Sequence, residues 1–141
     1  MKLFFKITLF TLIIISFSSC NKDENANIPY VPVNIYMQTT DPQFIQLNAV
    51  NSWIYITGGS RGIIVYKVSN EQFRAFDRHC TFQPAETCAL VNVETNNVSA
   101  LCDCCGSQFL ITDGSVLRSP AVLPLREYNT SYDGATLRIF N

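Results

Sequence analysis

Asp77-Arg78-His79-Cys80-Thr81-Phe82-Gln83-Pro84, then Cys88, then Leu101-Cys102-Asp103-Cys104-Cys105-Gly106-Ser107 together hold five of the six cysteines and the only histidine. Alternating apolar sequence flanks both segments. Between them, Leu90-Val91-Asn92-Val93 and Val98-Ser99-Ala100-Leu101 bracket Glu94-Thr95-Asn96-Asn97, a hairpin signal that carries the chain from one cysteine segment to the other. Upstream, period-two sequence runs from Tyr30 through Val31, Val33, Ile35 and Met37. Phe44-Ile45-Gln46-Leu47 reads as a second strand after the Asp41-Pro42 turn, and Trp53–Thr57 as a third. Ile63–Val68 and Phe73–Asp77 follow, after a glycine loop (Gly58–Gly62) that has neither the Lys-Ser/Thr nor the helix of a phosphate site and reads as a plain turn. Downstream come Gln108–Ile111, Ser115–Leu117, Leu123–Tyr128 and Thr136–Phe140, separated by Asp-Gly turns at Asp113-Gly114 and Asp133-Gly134. No stretch beyond the first 20 residues holds a helical period over ten residues. About ten short strands predict an all-β fold, a sandwich or stacked antiparallel sheets. The aromatics Trp53, Tyr55, Tyr66, Phe73, Phe76 and Phe109 read as core residues on those strands.

The 141 residues suit one domain plus a short extra segment, with 48% of residues apolar and a formal net charge of −1. Only 15% of residues are charged, with no basic run, which disfavours a nucleic-acid partner. The start, Met1-Lys2-Leu3-Phe4-Phe5-Lys6 followed by the apolar Ile7–Phe17 and then Ser18-Ser19-Cys20, has the layout of a secretory signal. Its ending resembles a bacterial lipoprotein box, with Phe17 where Leu is usual. That resemblance implies a signal peptide at 1–19, an acylated Cys20 and a polar tether at 20–29, with the domain at 30–141. The alternative is an ordinary cleaved signal with an incidental cysteine. Without Lys2 and Lys6 the chain carries eight basic and eleven acidic residues, a net of −3. Asn21-Lys22-Asp23-Glu24-Asn25 resembles the sorting tag of Bacteroidetes-type lipoproteins, implying an outer-membrane protein exposed at the cell surface; a plain solvated tether is the other reading. Either route leads out of the cytoplasm, where disulfides persist.

The cysteine segments resemble the Rieske family, in which two hairpin-end loops grip a 2Fe–2S cluster with two Cys on one iron and two His on the other. The first family loop reads Cys-x-His and the second Cys-x-x-His-Gly-Ser; many members add one cysteine per loop as a clamping disulfide. Here Cys80-Thr81-Phe82 lies on the first and Cys102-Asp103-Cys104-Cys105-Gly106-Ser107-Gln108-Phe109 on the second. Asp113-Gly114, Ser119-Pro120-Ala121, Pro124-Leu125 and Tyr128 continue the match. The resemblance covers Ile35 to Phe140 and implies the stacked antiparallel sheets of a Rieske fold, with two cysteine loops at one end. It also implies that Cys80 and Cys102 stand at the thiolate positions and that Cys88 pairs with Cys104. Such a bridge would be worth ~3 kcal/mol for a loop of about sixteen residues.

Both histidine positions are lost, one to Phe82 and one to Cys105, and the degenerate metal positions are therefore Cys80, Cys102 and Cys105. His79 precedes Cys80 and reads as a surface or hydrogen-bonded histidine, because neighbours along a strand point to opposite sides. Ser107 would bond a cluster in the family; here it reads as a stabiliser of the loop backbone. Asp77, Asp103 and Asp113 read as turn formers. Outside the cytoplasm, Cys80 is expected to pair with Cys102 or Cys105 and close the former cluster site. The signal contains no arginine, so the twin-Arg route for folded, cofactor-loaded passengers is disfavoured.

The reading is a lipid-anchored accessory or binding module with no cofactor, held at the membrane through Cys20 and working with an envelope protein partner. The alternatives are an electron carrier with a Cys-ligated 2Fe–2S cluster that recruits Cys88, a zinc site on Cys102-x-x-Cys105-Gly106, and a thiol–disulfide redox protein using a spare cysteine.

Overall fold

The computed structural model describes residues 28–141. The signal segment and Cys20 lie outside the described residues. Ten strands form two antiparallel sheets. The larger has six strands in the order β1-β10-β9-β4-β3-β2: β1 (Asn34–Gln38), β10 (Thr136–Phe140), β9 (Glu127–Tyr132), β4 (Phe73–Asp77), β3 (Ile63–Lys67) and β2 (Trp53–Ile56). The smaller orders β5 (Val91–Val93), β6 (Ser99–Cys102), β7 (Gln108–Leu110) and β8 (Val116–Arg118) as a meander.

β3 is the wall between two cores. All five of its residues are buried, and period-two geometry sends them alternately to opposite sides. Ile63 and Val65 pack with Val33, Met37, Leu47, Leu137 and Ile139 inside the curled larger sheet. Ile64 and Tyr66 face the other way, onto Phe76, Val91, Ala100 and Phe109 at the junction with the smaller sheet. Burial on both faces explains why Ile63-Ile64-Val65-Tyr66 is continuously apolar where a half-exposed strand would alternate.

Two expected strands differ. Residues Pro42–Asn48 form a 3₁₀ helix rather than a strand. Pro42 fixes a helical φ at its start, and Phe44 and Leu47, three apart, both reach the inner core as a three-residue period requires. The strand expected at Leu123–Tyr128 begins instead at Glu127 and runs to Tyr132. Pro124 cannot donate to a ladder, and Leu125 and Arg126 bond singly, to Gly114 and Asp77. Of the expected core aromatics, Tyr66, Phe73, Phe76 and Phe109 are buried and Trp53 is half-buried. Tyr55 is exposed instead; the Arg78 guanidinium lies 3.8 Å over its ring and its hydroxyl accepts the Val93 N–H at 2.7 Å.

Candidate functional site

β4 and the β5–β6 hairpin deliver both cysteine segments to one end of the molecule. After β4 the chain makes a single bridge, His79 opposite Leu90, and the Cys80 N–H donates to the Ala89 carbonyl at 3.0 Å. Cys102 ends β6, and a turn closes over it: the Gly106 N–H donates to the Cys102 carbonyl at 2.8 Å, and the Cys102 N–H to the Ser107 carbonyl at 2.9 Å. Gly106 makes that turn with a φ of 79°, a left-handed conformation that side chains disfavour. The two segments are joined by the Cys88–Cys104 disulfide, sixteen residues apart and exposed to solvent, as the family resemblance implied.

Behind the bridge, the sulfurs of Cys80, Cys102 and Cys105 lie within 4.8 Å of one another. Cys80 and Cys102 are fully buried and Cys105 is half-buried. The expected second bridge is not formed: all three are free thiols, with the Cys80 and Cys105 sulfurs 3.7 Å apart, in contact but not bonded. Burial pushes the Cys80 thiol well up, and the adjoining Cys102 and Cys105 thiols add to that. Burial also raises Cys105, but donors outweigh it. The Ser107 hydroxyl, the Ser107 N–H and the Cys102 and Cys80 thiols hold Cys105 below its ordinary value. Ser107 is fully buried, 3.1 Å from the Cys105 sulfur, and its Oγ accepts the Ala121 N–H at 2.9 Å. It therefore fixes the loop backbone, as its sequence position suggested, and also faces the thiol.

His79 is hydrogen-bonded and buried rather than at the surface. Its Nδ1 meets the Ser60 hydroxyl and its Nε2 the Pro84 carbonyl, each at 2.8 Å, so neither ring nitrogen is free for a metal. Burial lowers its pKa, partly offset by the bond to Pro84.

Asp77 does far more than form a turn. Fully buried at the end of β4, its carboxylate accepts four hydrogen bonds. Oδ2 takes the Ser60 N–H and the Tyr128 hydroxyl, both at 2.6 Å. Oδ1 takes the His79 N–H at 2.8 Å and the Arg61 N–H at 3.3 Å. Desolvation and the adjacent Asp77 charge push the Tyr128 phenol up. The glycine loop is a plain turn, yet it has a structural task. A Cβ on Gly59 would fall 2.5 Å from both the Asp77 carboxylate and the Tyr128 hydroxyl, so only glycine fits beside this hub. Arg61 of the same loop reaches the carbonyls of Glu86 and Thr87, tying the turn to the first cysteine segment. Sequence reading missed this network because three of its four donors, Ser60, Arg61 and Tyr128, lie sixteen or more residues from Asp77.

Two stacked antiparallel sheets with paired cysteine loops at one end define a Rieske fold, here without the histidine ligands. The plasma membrane Rieske protein PetC3 of Synechocystis PCC 6803 is similar in structure: TM-score 0.53 and 24% identity, over 79% of this chain and 100% of that one. The ferredoxin of carbazole 1,9a-dioxygenase from Nocardioides aromaticivorans IC177 is matched at TM-score 0.48 and 15% identity, over 79% of this chain and 98% of that one. A chain from the oxygenase–ferredoxin complex of carbazole 1,9a-dioxygenase is matched at 0.48 and 18%, over 75% of this chain and 93% of that one. No family model and no curated protein matches the sequence.

A 2Fe–2S cluster takes four protein donors, two on each iron. The donor set here does not fit one. Among the described residues, the only group of potential metal ligands is the three sulfurs, with no histidine or carboxylate in it. Phe82 carries no lone pair, and Cys88, which a four-thiolate cluster would have to recruit, is committed to Cys104.

Proposed function

We propose that this chain is a lipid-anchored protein of the bacterial envelope whose Rieske fold serves as an accessory binding module rather than as a two-iron electron carrier. The observation that carries this reading is the donor set: three thiols within 4.8 Å of one another, locked behind a disulfide, where a Rieske site has two thiolates and two imidazoles. The acylated Cys20 would hold the domain at the outer membrane, with residues 20–29 as the tether and the domain facing the cell surface. The loop end suits docking to an envelope protein. Val122 and Leu123 are exposed at 72% and 44%, and the Leu123 carbonyl accepts the Thr81 hydroxyl at 2.7 Å, which places these apolar side chains beside the first cysteine segment.

The test is to purify the protein from a membrane fraction of the native host and measure visible absorption, iron and acid-labile sulfide. Colourless, iron-free protein is expected. Brown protein with two irons and two sulfides per chain would overturn the reading in favour of electron transfer. Replacing Cys20 by Ala should abolish fatty-acid labelling and release the protein from the membrane; retention there would refute the anchor.

A further inference from the structure

We propose that Cys80, Cys102 and Cys105 form a three-sulfur site for a single cuprous ion. Metal–thiolate bonds of ~2.3 Å place sulfurs about 3.8 Å apart around a tetrahedral ion, and slightly farther apart around a planar three-coordinate one. The Cys80 and Cys105 sulfurs already stand at 3.7 Å, and all three lie within 4.8 Å, so closing on one ion needs only small side-chain movements. Sulfur donors alone select soft ions. A closed four-ligand zinc site is not available, because a fourth donor is lacking in this group, and zinc would have to complete its shell with water; Cu(I) is satisfied by three thiolates alone.

The surroundings suit an ion held by sulfur. The Cys88–Cys104 bridge ties the two loops together next to Cys105, so the donors are brought together before any ion arrives. Phe82, Ala89, Val91 and Ala121 pack in the same apolar cluster as the three cysteines and shield the buried side from water. The Ser107 N–H lies 3.5 Å and its hydroxyl 3.1 Å from the Cys105 sulfur, placed to donate to a metal-bound thiolate and fix its direction. Arg118 donates to the Gly106 carbonyl at 2.9 Å, setting a positive charge beside the second loop. The half-buried Cys105 gives the ion its way in. On binding, the thiols release protons to solvent and copper keeps its oxidation state.

This inference rests on the reading that the site holds no 2Fe–2S cluster, and the same sample tests both. The full mature chain, purified anaerobically without added thiol so that the Cys88–Cys104 bridge stays intact, is titrated with Cu(I) against a chromophoric Cu(I) chelator. The expected result is one copper retained per chain, with X-ray absorption showing three sulfur neighbours. Cys105→Ser should lose the retained copper while keeping its circular dichroism and unfolding midpoint, since that position is only half-buried. Three outcomes would overturn the inference: no copper retained by a chain whose three thiols remain alkylatable, a native Cys80–Cys105 disulfide, or preferential retention of Zn²⁺ in competition with Cu(I). An iron-free protein that retains no copper refutes this site alone, whereas two irons per chain refute the proposed function itself.

Discussion

Asp77→Asn isolates the hub that sets the base of the first cysteine segment. The side chain keeps its shape, but one carboxylate oxygen becomes an NH₂ group. Either orientation is wrong. Turned toward the Oδ2 site, the amide meets two donors, the Ser60 N–H and the Tyr128 hydroxyl. Turned toward the Oδ1 site, it meets the N–H groups of His79 and Arg61. The second orientation costs less, because the Arg61 bond is long. It still removes one good charge-assisted bond, worth about 1.5–3 kcal/mol, and leaves a buried N–H unpaired at a further cost of roughly 1–3 kcal/mol. Relief of the buried charge returns part of this, for a net destabilisation of about 3 kcal/mol. Urea unfolding at neutral pH, followed by the single tryptophan, Trp53, measures it directly. Tyr128→Phe calibrates the result: it removes one hydroxyl and leaves the Ser60 N–H on Oδ2, so it should cost about 1–2 kcal/mol. An Asp77→Asn unfolding free energy, midpoint times slope, within about 1 kcal/mol of wild type would show that the four bonds do not carry the stability assigned to them.

Replacing Cys88 and Cys104 by Ala together should cost about 3 kcal/mol on the chain-entropy account of a sixteen-residue separation, read from the same urea curves; a double variant as stable as the parent would refute it. In native protein, a brief pulse of iodoacetamide should label Cys105 first, since it is half-buried and held below its ordinary pKa while Cys80 is buried and raised. Peptide mass spectrometry showing Cys80 or Cys102 labelled earlier would contradict this. His79 has a lowered pKa in the folded chain, so the unfolded chain binds more protons and stability should fall as pH drops below 6.5. His79→Gln should flatten that part of the pH–stability curve; an unchanged slope would assign it to other groups.

Much of the fold was legible because its signals are local. The Leu90–Leu101 hairpin, the alternating strands and the Asp-Gly turns each declare themselves within a few residues. The convergence of Cys80, Cys102 and Cys105, and the clamp between Cys88 and Cys104, were legible through the resemblance of the two loops to the Rieske pattern. The thiol state of the three sulfurs was not, because spacing brings cysteines near one another without fixing which sulfurs bond. Phe44–Leu47 misled because a four-residue stretch with three apolar residues fits a strand as well as a helical turn, and only the packing of Phe44 and Leu47 together distinguishes them. Asp77 was underestimated for a different reason. Its partners Ser60, Arg61 and Tyr128 come together only once β3 and β9 have both paired beside β4, and no periodicity records that meeting.

With β3 lining both cores, neither can dissolve by itself. Loosening the packing around Leu47 and Leu137 exposes the back of the strand that supports Phe76 and Phe109, so a partly open form that frees only the cysteine end has no inexpensive route. Amide exchange in the two sheets should then proceed through one common opening, and the buried Cys80 and Cys102 should owe their slow exposure to the whole domain rather than to their own loops.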